Sequence, residues 1–145
     1  MKILVTGGCG YIGTCLVNFL LDKGHEVLVI DAQWFGNKLK KNKKLKIIKK
    51  NLSQIEQVSL KNINTIIHLA NIANDPAAEI DSKLTWDTNV LYTKKLLDHA
   101  IKHKVKKFIF ASSGSVYGIK SERRVTENLP LLPISDYNKS KMIAE

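Results

Sequence analysis

The stretch Thr6-Gly7-Gly8-Cys9-Gly10-Tyr11-Ile12-Gly13 constrains what this chain can fold into more than any other. It follows a short β-branched run at 2–6 that reads as a buried strand. It leads into residues 11–23, where Ile12, Cys15, Leu16, Phe19 and Leu20 recur at helical spacing, and Gly24 closes that helix as a C-terminal glycine. Glycines between a strand and a helix have a specific physical use. Gly7 permits a tight turn. Gly10 carries no side chain, so a pyrophosphate can approach the backbone and the helix N-terminus, whose N–H groups and dipole favour an anion. Gly13 lets the helix lie close to the sheet. A Walker-type loop would need Lys and then Ser or Thr after its last glycine, but Thr14 and Cys15 follow Gly13. A tight turn without a ligand is the bland alternative, and the strand–helix context weighs against it.

The remaining chain repeats the alternation. Further strands are predicted at 25–31, 45–50, 64–70 and 106–113, each a nearly continuous apolar run. A short helix is expected at 53–60 and a long one over 82–103, through Leu84, Val90, Leu91, Leu96, Leu97 and Ile101. Pro130 and Pro133 mark a loop, after which Ser135 caps a last helix. Apolar strands alternating with helices imply an α/β fold, a doubly wound parallel sheet covered on both faces.

Charge and cysteine content narrow the setting. The net charge of +10 is lumped, with eight lysines in 38–50. Arginine, the residue of bidentate phosphate and base contacts, occurs only at 123 and 124, so no specific nucleic-acid partner is expected; the lysines read as a solvated loop and strand edge. Cys9 and Cys15 alone make neither a zinc site nor a disulfide framework, and no metal is expected. A reducing, cytoplasmic location is the default for such a chain. No apolar run approaches the roughly 20 residues of a membrane span, so no membrane partner is expected.

Three further parts of the chain carry residues suited to chemistry. The second strand ends in Asp31, whose carboxylate can accept hydrogen bonds from both hydroxyls of an adenosine ribose and would repel a 2′-phosphate, which favours NAD over NADP. Lys38 is the first cation after it. The fifth strand runs into Ser112, Ser113 and Ser115, hydroxyls at the carboxyl edge where open α/β sheets act on ligands. Tyr137 and Lys141 stand four apart on the last helix, hence on one face. A free phenol titrates near pH 10, and a neighbouring ammonium favours its phenolate. Taken alone, that pair is commonplace; its weight comes from following the glycine loop, the acid and the serine in that order.

With these motifs the chain resembles the NAD-dependent epimerase/dehydratase group of extended short-chain dehydrogenases/reductases, acting on nucleotide sugars. The resemblance rests on TGGCGYIG, Asp31, IIHLA, TNVLYTKKLLDHA, FIFASSGSVYG and YNKSK, which span nearly the whole chain. It implies a Rossmann-type domain over 1–145 with NAD as cofactor. Gly7, Gly10, Tyr11, Ile12, Gly13 and Asp31 would bind it, Leu69, Ala70 and Asn71 would line it, and Asn51 and Leu52 would flank adenine. The family usually has Asp where Asn51 stands. Tyr137 would be the acid–base residue. Lys141 would lower its pKa and hold the nicotinamide ribose, and Ser113 would be the catalytic hydroxyl. Asn89 stands between two readings, a helper on the long helix or a packing hydrogen bond.

The implied reaction is epimerisation of a nucleotide sugar. Tyr137 takes a hydroxyl proton, hydride leaves the sugar carbon for NAD⁺, and it returns to the other face of the keto intermediate. Dehydratases place Asp-Glu just after the catalytic hydroxyl; Gly114 and Ser115 stand there, which disfavours dehydration. Another nucleotide-sugar oxidoreductase, or a non-catalytic NAD-binding module or inactive fragment, are the alternatives. The resemblance also allows a homodimer through the 82–103 and 135-onward helices. Family members are about twice as long, so the last strand and the substrate-binding region are expected to be absent, and the 145 residues alone are expected to bind NAD weakly and to leave sugars unturned.

Overall fold

The computed structural model describes all 145 residues, Met1–Glu145. By its contacts the chain divides into two compact units: residues 1–70 with 92–111, and residues 71–91 with 112–145.

The first unit is built on five parallel strands: β1 (Lys2–Thr6), β2 (Glu26–Asp31), β3 (Leu45–Lys49), β4 (Thr65–His68) and β5 (Lys107–Phe110), in the order β3-β2-β1-β4-β5. Side chains alternate across the sheet. Ile3 and Val5 of β1 join Val27 and Val29 against Val17 and Leu20 of α1 (Tyr11–Asp22). Leu4 points the other way, into a cluster with Leu28, Ile30, Ile66 and, from α4 (Tyr92–Lys102), Leu96 and Ala100. Both faces are therefore covered, as a parallel sheet requires. Residues 52–57 form a 3₁₀ turn, not the helix expected over 53–60, and its Leu52 and Ile55 complete the second cluster.

Strand lengths are set by neighbours. Apolar sequence continues past β4 and β5, yet both stop earlier than their runs suggest. Gly7 ends β1 with φ +71°, Thr6 stands in register with His68, and His68 with Phe110. Once β1 turns away, the ladder beyond that level has no partner. Gly24 (φ +81°) ends α1 as expected; its N–H donates to Leu21 O, and that of His25 to Leu20 O.

The second unit holds α2 (Asp75–Ile80), α3 (Ser82–Trp86), a π turn at 87–91, a 3₁₀ turn at 114–117 and α5 (Asp136–Ala144). The expected single helix over 82–103 is thus broken. The π turn swings Asn89 inward, where Oδ1 accepts from Ile72 N–H (2.7 Å) and Nδ2 donates to Ile72 O (3.1 Å) and Ser140 Oγ (3.0 Å). Of the two readings of Asn89, these contacts realise the packing hydrogen bond. Ser135 caps α5 as expected: its Oγ accepts from Asn138 N–H at 3.2 Å and donates to the Asp75 carboxylate. No helix is long and apolar enough to cross a membrane.

Candidate functional site

The glycine turn lies at the carboxyl end of β1. Gly7 N–H donates to Ile30 O (2.9 Å) and Gly10 N–H to Gly7 O (3.2 Å), which folds the loop back over its own start. A Cβ at Gly7 would lie 2.7 Å from Ala70 N, in a backbone conformation that also favours glycine. A Cβ at Gly13 would overlap the Gly7 carbonyl and the Gly8 backbone. The helix therefore needs its third glycine for the loop beneath it, a finer version of the expected close approach to the sheet. Gly8 was not singled out in sequence, yet a Cβ there would meet Val29 at 2.8 Å.

Above the turn the space is open. A Cβ at Gly10 would meet nothing closer than Gly7 O at 3.3 Å. Gly10 occupies the N-cap of α1, no side chain caps that end, and no acid stands in the first turn. The leading N–H groups of an α-helix have no intrahelical acceptor. Here those of Tyr11, Ile12 and Gly13 meet no capping side chain, and the side chains of Tyr11 and Ile12 are exposed. An anion at this end would meet unspent donors and a favourable dipole. These residues fit a dinucleotide's pyrophosphate.

Asp31 ends β2 beside the turn, and its carboxylate already has structural work. Oδ2 accepts from Cys9 N–H (2.9 Å) and Oδ1 from Gln33 N–H (2.6 Å). A carboxylate has about four acceptor sites, so capacity remains for ribose hydroxyls. The same carboxylate and burial push the Cys9 thiol up to about 11, burial contributing most. Cys9 is therefore a neutral packing residue. Lys50 N–H donates to Asp31 O (3.0 Å), which brings Asn51 and Leu52 to the same end of the sheet. Asn51 Oδ1 caps the 3₁₀ turn by accepting from Ser53 N–H (2.8 Å), and the Leu52 side chain is buried in the core. Leu69 N–H donates to Thr6 O (3.1 Å), which places Leu69 and Ala70 against the glycine turn.

The hydroxyl, phenol and ammonium residues belong to the second unit, with Asn71 at its start. Ser113 caps the 3₁₀ turn at 114–117, and its Oγ lies 2.7 Å from Ser115 Oγ. That turn packs on α5. Tyr137 and Lys141 both ride on α5, Tyr137 half-buried and Lys141 1% exposed. Burial pulls the Lys141 ammonium down from 10.5 to about 8, and the Glu145 carboxylate opposes that shift. Ser140, fully buried, donates to Tyr137 O (2.7 Å) while accepting from Asn89, so α5 is pinned at the turn that bears the phenol. Ser140 was missed in sequence, because a serine inside a helix carries no periodicity signal.

A 3-2-1-4-5 parallel sheet with a glycine-rich first turn, an open helix N-terminus and an acid at the end of β2 defines a dinucleotide-binding α/β protein. Comparison with known proteins narrows this. Residues 3–145 match the NAD dependent epimerase/dehydratase family, and the chain belongs to it. It is 34% identical over its full length to UDP-glucose 4-epimerase of Lactobacillus helveticus, covering 45% of that protein. Among solved structures it is similar to UDP-N-acetylglucosamine 4-epimerase from Methanobrevibacter ruminantium M1 in complex with UDP-N-acetylmuramic acid, with a TM-score of 0.92, 31% identity, and coverage of 99% of this chain and 48% of that one. It is also similar to the UDP-glucose 4-epimerase of Thermus thermophilus in complex with NAD, with a TM-score of 0.89, 30% identity, and coverage of 99% and 48%. The chain spans about half the length of the relatives it matches.

Proposed function

We propose that the chain is the NAD-binding portion of a nucleotide-sugar 4-epimerase, with UDP-sugars as the substrate class and Tyr137 as acid–base. The glycine turn and the N–H groups at Tyr11, Ile12 and Gly13 hold the pyrophosphate. Asp31 accepts from the adenosine ribose, and Leu69, Ala70 and Asn71 line the cofactor, with Asn51 and the backbone of Leu52, whose side chain is in the core, beside adenine. When bound, NAD supplies a reversible hydride acceptor. Tyr137 takes the proton of the sugar hydroxyl and later returns it. Ser113 donates to the same oxygen. Lys141 favours the phenolate by its charge and holds the nicotinamide ribose. Gly114 and Ser115 supply no acid for expelling water, so epimerisation is preferred to dehydration.

The observation that carries this reading is Lys141. Lys141 is buried in α5, one turn past Tyr137, and burying an ammonium there costs stability. Such perturbed groups cluster at functional sites. A chimera tests the reading: residues 1–145 replace the matching half of the Lactobacillus helveticus enzyme. The expected result is interconversion of UDP-glucose and UDP-galactose, lost by at least about a hundredfold in Tyr137→Phe with NAD affinity retained. A folded, NAD-loaded chimera without activity, or one indifferent to Tyr137→Phe, contradicts it. The cytoplasm is the proposed location, and a homodimer the proposed assembly of the whole protein.

A further inference from the structure

Beneath the glycine turn lies a buried polar chain that the proposed chemistry does not use. His68, at the end of β4, is 2% exposed. Its Nδ1 is 2.6 Å from Thr6 Oγ1 and its Nε2 is 2.8 Å from Thr93 Oγ1. A neutral imidazole satisfies both hydroxyls by donating through one nitrogen and accepting through the other. Phe108 and Phe110 of β5 stand near the ring, with centroids 5.9 and 5.8 Å away. Thr6 is itself fully buried, and its Oγ1 also accepts from Ala70 N–H at 3.4 Å. Its carbonyl accepts from Leu69 N–H, and the next residue is Gly7, whose missing Cβ lets the Ala70 backbone approach.

A packed core would be served as well by valine and phenylalanine at these two positions. The sequence instead buries a hydroxyl and an imidazole where two loops leave the sheet. Buried polar groups that are fully satisfied fix one arrangement, because every alternative leaves a donor or acceptor unpaired. We propose that Thr6 and His68 are a positioning pair. They lock the turn after β1 to the Leu69–Ala70 segment after β4, and so preset the surface that receives the dinucleotide. Both side chains are buried beneath that surface. The inference rests on the functional reading above for its consequence, but not for the lock itself.

Two readouts on the full chain test it. In Thr6→Val the shape is kept and the hydroxyl lost; in Thr6→Ser the hydroxyl is kept. Amide hydrogen exchange at Gly7, Gly10 and Ala70 is expected to quicken about tenfold in Thr6→Val and in His68→Phe, a size fitting one net hydrogen bond, while Val27–Ile30 stay as protected as in the parent. Thr6→Ser should behave as the parent. NAD affinity, followed by titration, should fall with the same pattern, and the Thr6→Val/His68→Phe double variant should lose little more than either single one. Uniform quickening, no quickening, or a Thr6→Ser variant as loose as Thr6→Val overturns the lock. Asp31→Ala serves as control. If it weakens NAD binding and Thr6→Val does not, the positioning role is wrong. If neither changes it, or the parent binds no NAD, the dinucleotide reading fails, and the exchange pattern alone decides the lock.

Discussion

Asp31 holds Cys9 and Gln33 with the same oxygens that a ribose would address. Lys141 is the costlier case. Its pKa falls from 10.5 to about 8 on folding, which corresponds to a penalty on the order of 3 kcal/mol wherever the group is charged in both states. The sign follows from proton counting. Between pH 8 and 10.5 the unfolded chain binds more protons at this site, so its contribution to stability rises with pH across that window and is least favourable below it. Lys141→Met should therefore be more stable than the parent at pH 7, by about 1–3 kcal/mol, and should lack that rise. Denaturant titrations at pH 7 and pH 10 check this; parallel pH dependence in the two proteins would show that the ammonium is not destabilising.

At the scale of elements, what was legible is what is local. Gly24 after an amphipathic helix, Ser135 before α5 and the apolar runs of β1 and β2 each carry their own signal, and the structure follows them closely. What was not legible depends on remote partners. Asn89 breaks the 82–103 periodicity because it reaches Ile72, seventeen residues away, and no pattern within the helix records that. Residues 75–80 carry too short a pattern to announce α2, although Asn74 caps it through Ala77 N–H. Within the site, residue types showed where ligand chemistry could sit, whereas the supports Gly8, Thr6, His68 and Ser140 became visible only through contacts across elements. The lysine segment reads the same way at both levels. It leads into and includes β3, an edge of the sheet, where lysines discourage pairing with another chain. Binding of single-stranded DNA in a gel shift should thus show no sequence preference and vanish at moderate salt; retention at high salt, or a preferred sequence, would call for a dedicated site.

For the whole molecule, family membership and fold are settled by the match over residues 3–145 and the five-stranded sheet, and activity is a statement about site residues. Whether a dinucleotide seats at the first turn of the sheet therefore decides the proposed function. A nitrogen-15 chemical-shift titration of the 145-residue chain with NAD measures this residue by residue. The result expected is weak, saturable binding whose largest shifts fall at Gly7–Gly13, Asp31, Leu69 and Ala70. Shifts confined to the lysine segment, or none at millimolar NAD, would contradict it.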